Sequence, residues 1–98
     1  MSRFRVQILA AAEIEFRDAF HWYAERSALA ADAFRAEVLD KVDGLARDAD
    51  GWPSDDDGLR RRVLTRFPYT IFYDLTGDVV TVLAIAHQRR APGYWRPR

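Results

Sequence analysis

Val79-Val80-Thr81-Val82-Leu83-Ala84-Ile85-Ala86 is apolar on both alternating faces, interrupted only by Thr81. A strand that turns neither face to water belongs in the middle of a sheet. It follows Thr76-Gly77-Asp78, whose glycine and aspartate supply hairpin chemistry. Before that turn lie Tyr69 to Leu75, entered through Pro68, and Arg60 to Arg66. The pattern predicts three strands, Arg60–Arg66, Tyr69–Leu75 and Val79–His87, paired as an antiparallel meander.

Toward the N-terminus the period changes. Arg3 to Ile8 alternates polar and apolar residues and reads as a half-buried strand with Phe4, Val6 and Ile8 inward. From Ala10 to Arg26 the apolar residues Phe16, Ala19, Phe20 and Tyr23 fall at i, i+3, i+4 and i+7, one face of a helix. Glu13 and Glu15 stand in its first turns, where carboxylates suit the positive end of the helix dipole. Ser27 caps a second helix from about Leu29 to Arg47, striped by Ala31, Phe34, Val38, Val42 and Leu45. The short link between the helices predicts an antiparallel hairpin. The two glycines, the proline and the acidic run of Asp48 to Gly58 read as a loop.

The predicted order is β-α-α-β-β-β, an α+β fold with the helical hairpin on one face of a mainly antiparallel four-stranded sheet. The first strand is expected beside the wholly apolar one. The 98 residues fit a single domain spanning 1–98. No apolar stretch approaches the ~18 residues of a membrane span, and the N-terminus has no signal-peptide core. A cytoplasmic protein with no membrane partner is expected.

Neither a metal nor a cofactor is expected. There is no cysteine, which removes thiolate metal sites and cysteine nucleophiles, and the two histidines are not at ligand spacing. The triplet Asp55-Asp56-Asp57 lacks the alternating oxygens and closing glutamate of a calcium loop.

Net charge is zero, yet residues 1–58 carry seven basic and thirteen acidic side chains, whereas residues 59–98 carry eight basic and two acidic. Those eight are all arginine, which grips phosphate or carboxylate with two prongs. The segment His87-Gln88-Arg89-Arg90-Ala91-Pro92-Gly93-Tyr94-Trp95 leaves the end of the buried strand, a place where loops carry function. His87 exchanges protons near neutral pH, Arg89 and Arg90 bind anions, and Tyr94 and Trp95 stack on bases or fill a protein pocket. Against this stands a Trp95 folded back onto the domain, with the arginines simply facing water. Arg60 and Arg62 share one strand face and Arg61 takes the other. They either protect a sheet edge from pairing with another chain or form an electrostatic groove with Arg89 and Arg90. His21 and Trp22 lie off the apolar stripe of the first helix, and an exposed Trp22 suits a partner contact.

The order β-α-α-β-β-β with Arg60-Arg61-Arg62, then Phe67-Pro68-Tyr69-Thr70-Ile71-Phe72-Tyr73, then His87-Gln88-Arg89-Arg90, resembles the RelE/ParE superfamily of bacterial toxins. Pro68-Tyr69-x-Ile71-x-Tyr73, followed by a strand ending in His87-x-Arg89-Arg90-x-Pro92, is similar to the ParE-like and "plasmid stabilisation" branches. The resemblance implies the toxin of a type II toxin–antitoxin system, neutralised by a cognate antitoxin. For a ParE-like member it implies growth inhibition by binding a protein, DNA gyrase, rather than enzymatic action. Its target-binding residues would be Arg60, Arg62, His87, Arg89, Arg90, Tyr94 and Trp95.

The alternative is a RelE-like, metal-independent endoribonuclease cutting mRNA on the ribosome, with His87, Arg89, Arg90 and Tyr94 as catalytic residues. The lysines such enzymes carry on the strand after the loop would fall near Arg61 and Val63. The arginine of their next strand corresponds to Thr70. A third reading is a non-toxic binding module of the same fold.

Overall fold

The computed structural model describes residues 2–90 and 94. The elements run β1 (Arg5–Ile8), α1 (Ala10–Ala24), α2 (Ala28–Asp48), a 3-10 turn (Ala49–Gly51), β2 (Arg60–Val63), β3 (Tyr69–Thr76) and β4 (Val79–His87). This is the predicted order. The four strands lie β1-β4-β3-β2, with β1 parallel to β4 and the other two pairings antiparallel.

β4 has the predicted bounds and is central, between β1 and β3. Part of its apolar continuity has a local cause. Phe72 pairs with Ala84 and Tyr73 with Val82, so Leu83 is an extra residue in a bulge. The bulge shifts the alternation by one, and Val80, Val82 and Ile85 all join the core. Burial on both faces is complete only at Ala84, Ile85 and Ala86. At the start of the strand, Val79 and Thr81 are half-buried. The β3–β4 turn has Gly77 at φ +60 and no positive φ at Asp78, a glycine-first hairpin turn.

The helical hairpin covers one face. Ser27 Oγ accepts the Ala30 N–H at 3.1 Å, which caps α2 as expected. Phe34, Val38 and Leu45 of α2 are buried with Ile71 and Tyr73 of β3. Tyr23 of α1 meets Phe34 and Phe67 with ring centroids 5.2 and 5.1 Å apart, the first pair tilted and the second edge-on. On β3, residues Tyr69, Ile71, Tyr73 and Leu75 face this core. Thr70, Phe72 and Asp74 therefore face the other way.

Two expectations are corrected. Ile8 shares the face of Val6 and pairs with core Val82, yet stays 37% exposed, because β1 is an edge strand that ends there and gives way to α1. The segment 48–58 is not wholly irregular. Asp48 closes α2, Ala49–Gly51 forms the 3-10 turn, and Ser54 bridges to Arg60. Local polar bonds overcome the breaker residues. Asp55 Oδ1 accepts the N–H groups of Asp57 and Leu59 at 2.9 and 3.0 Å, and Gly58 takes the left-handed φ of +80 this turn needs.

No helix among the described residues is long and apolar enough to cross a membrane.

Candidate functional site: a groove between α1 and the end of β4

A groove of about 570 Å³ opens where β4 ends. Asp18, Trp22 and Tyr23 come from α1, Tyr69 begins β3, and Ile85 and His87 end β4. Arg90 and Tyr94 close it from the C-terminal side. The aromatic walls have separate sources. Tyr23 and Tyr69 are half-buried and pack against the core cluster. Burial raises the Tyr69 hydroxyl above its usual range, helped by the neighbouring Tyr23; burial also raises Tyr23. Both phenols therefore stay protonated donors. Trp22 is 51% exposed, with the Arg26 guanidinium 3.7 Å from its ring centroid.

His87 organises the turn that leaves β4. Its carbonyl accepts the Arg90 N–H and its Nδ1 accepts the Arg89 N–H, each at 3.0 Å. Gln88 N–H donates to the Pro68 carbonyl at 2.8 Å, which ties the turn to the start of β3. The Arg90 guanidinium lies 4.0 Å from the Tyr94 ring centroid, a cation–π contact. Arg89 is exposed, and its guanidinium has no partner among the described residues.

The fold thus gathers His87, Arg90 and Tyr94 and sets Arg89 beside them. Trp95 lies outside the described residues.

Arg60 and Arg62 are elsewhere, on the outer strand β2. Arg60 donates to the carbonyls of Asp50 and Trp52. The Arg62 guanidinium lies 3.7 Å from the Trp52 ring centroid and 4.0 Å from an Asp48 carboxylate oxygen. Both arginines have partners within the chain.

Strand parity separates a third group. Arg61 pairs with Phe72 and Val63 with Thr70, so these positions occupy the sheet face opposite His87. Thr70 is 6% exposed and Val63 is apolar.

Two groove carboxylates were not anticipated as site residues. Glu15, read as a helix-dipole residue, accepts the Ile85 N–H on Oε1 at 3.0 Å and the Tyr94 hydroxyl on Oε2. Asp18 lies one turn on. The available signal was positional, since Glu15, Asp18, Ala19 and Trp22 stand at i, i+3, i+4 and i+7 and share one helix face. Among the described residues no cluster of three or more His, Asp or Glu could hold a metal.

A mixed sheet under a helical hairpin, with a cationic turn leaving the central strand, is the fold that the motifs implied. Residues 6–92 match the model of the ParE toxin of the type II toxin–antitoxin system parDE, and the chain belongs to that family. Its fold is similar to a chain from the structure of a chromosomal ParDE TA system from P. aeruginosa, with a TM-score of 0.76 and 18% identity over 87% of this chain and 96% of that one. No curated protein sequence matches it.

Proposed function

We propose that this chain is a ParE-like growth inhibitor that acts in the cytoplasm by binding a protein target, DNA gyrase, and is neutralised by a cognate antitoxin. His87, Arg89, Arg90, Tyr94 and Trp95 form the target-binding surface. Trp22 and the acidic outer surface of the helices receive the antitoxin.

The observation that carries binding over RNA cleavage is the sidedness of the sheet. The positions where a RelE-like enzyme would hold cations, near Arg61, Val63 and Thr70, face away from His87. One of them is apolar and another is a buried threonine. Cleavage by a ribose 2′-hydroxyl needs base, acid and charge stabilisation in one place. His87 adds a second argument. Its Nδ1 is occupied by the Arg89 N–H, so a neutral ring carries its proton on Nε2 and cannot accept one there. The groove also presents Glu15 and Asp18, which repel a phosphate chain.

The test is a supercoiling assay with purified protein, alongside mapping of mRNA 5′ ends in cells expressing it. Inhibition of supercoiling, relieved by the antitoxin encoded beside the gene, is the expected result. Intact supercoiling at growth-arresting doses together with new mRNA 5′ ends would overturn the proposal in favour of the ribonuclease.

A further inference from the structure

β1 ends at Ile8, opposite Val82, and α1 begins two residues later. β4 continues for five residues past that point, and among the described residues no strand lies on its β1 side there. Tyr69 and Ile71 turn their backbone groups toward β2, so Thr70 and Phe72 carry the ladder to Ala86 and Ala84 of β4. The Ile85 N–H therefore points to the side that β1 has vacated. A buried N–H without a partner is costly, and Glu15 of α1 supplies one through Oε1 at 3.0 Å. The other oxygen of the same carboxylate receives the Tyr94 hydroxyl, and the Arg90 guanidinium rests on the Tyr94 ring. A single side chain thus connects α1, the end of the central strand and Tyr94. Glu15 is half-buried and 79 residues away from Tyr94, so this is a tertiary tie.

We propose that Glu15 is a positioning residue: its carboxylate holds Tyr94 on the groove, and so fixes the ring against which Arg90 is presented. The tie is a property of the free protein. Its consequence for target binding rests on the function proposed above.

Three variants separate the parts. Tyr94→Phe removes only the hydroxyl. Glu15→Ala removes both acceptors. Glu15→Gln keeps an oxygen for the Ile85 N–H and offers an amide N–H to the Tyr94 oxygen. In the free protein, the readouts are trypsin cleavage after Arg89 and Arg90, located by mass spectrometry, and hydrogen exchange at the Ile85 amide. Loss of the tie should speed cleavage about fivefold in Tyr94→Phe with Ile85 exchange unchanged, because one hydrogen bond is lost at the segment and none at the strand. Glu15→Ala should speed both, and Glu15→Gln should restore both toward wild type. Wild-type cleavage in Tyr94→Phe, or in a folded Glu15→Ala, overturns the proposal, and Tyr94→Phe keeps it testable if Glu15→Ala does not fold. A wild-type protein that leaves gyrase untouched counts against the target reading alone, since cleavage and exchange are measured without any target.

Discussion

Two pairs of arginines, similar in sequence, have opposite surroundings. Arg60 and Arg62 on β2 are held by carbonyls of the Asp50–Trp52 segment, the Trp52 ring and Asp48. Arg89 and Arg90 follow β4, where Arg89 reaches into solvent and Arg90 rests on a ring of its own segment. The difference lies in what each strand borders. β2 is an edge, and the chain entering it from α2 wraps back over that edge, so its arginines meet carbonyls and an indole. β4 is central, so its continuation leaves the sheet at an end, beyond reach of that wrapping. The edge cations are engaged within the chain, and under the function proposed above the cations past the end of the central strand are the ones that meet a partner.

If the edge region serves the fold, the largest stability effect should come from Glu37. Its carboxylate accepts the Thr65 N–H, the Thr65 hydroxyl and the Arg66 N–H at 2.7, 2.8 and 3.2 Å, pinning the exit from β2, and it pairs with Lys41 at 3.6 Å. Burial alone would raise its pKa, but these donors and Lys41 outweigh burial and hold it below the usual carboxylate range. Glu37→Ala removes three charge-assisted hydrogen bonds and the partner of a nearly buried ammonium, and should cost about 3 kcal/mol in urea unfolding at neutral pH. A folded-state pKa below the unfolded one means the stabilisation is present above the unfolded value and is lost as pH falls through the folded value. The wild type should therefore lose its advantage over Glu37→Gln in acid.

Next is Arg60→Ala, which strips the partner from two carbonyls and should cost about 2 kcal/mol while leaving target inhibition per folded molecule unchanged. A loss of inhibition at constant stability would put the edge arginines on the target surface. Tyr73→Phe should be milder, about 1 kcal/mol, because it removes one bond from the buried hydroxyl to the Ala49 carbonyl. Burial pushes the Tyr73 phenol up from 10.0 to about 12, with Arg60 opposing. This stabilisation is present below the unfolded pKa and lost as pH rises through about 12, so an alkaline titration should show a step absent from the phenylalanine variant.

Much of the fold was legible because it depends on local period. The bounds of β4, the Ser27 cap and the aromatic stripe of α1 all follow from spacing and turn chemistry, whereas the place of β1 beside β4 rests on pairing between distant residues that local period does not encode. The Leu83 bulge was hidden because one extra residue in a continuous apolar run changes no pattern. The two arginine groups could not be told apart for a different reason. What separates them is whether Trp52, Asp48 or a carbonyl lies nearby, and those partners come from other parts of the chain. Glu15 was hidden likewise. As a helix residue it fits the dipole, and its link to Ile85 spans 70 positions.

The smallest stability effect should come from the pair proposed to meet the target. Arg89→Ala with Arg90→Ala removes charge from exposed side chains and should shift unfolding by less than about 0.5 kcal/mol. Their backbone bonds to His87 survive, since alanine keeps both N–H groups. Inhibition of supercoiling should nonetheless fall more than about tenfold, because arginines at the centre of a contact carry a disproportionate share of binding energy. Raising the salt concentration should weaken the wild type and barely affect the double variant, since screening acts only on charges that remain. Arg60→Ala supplies the control. If the double alanine variant destabilises the fold as much as Arg60→Ala does, the two arginine pairs are equivalent and the end of β4 loses its claim to the target.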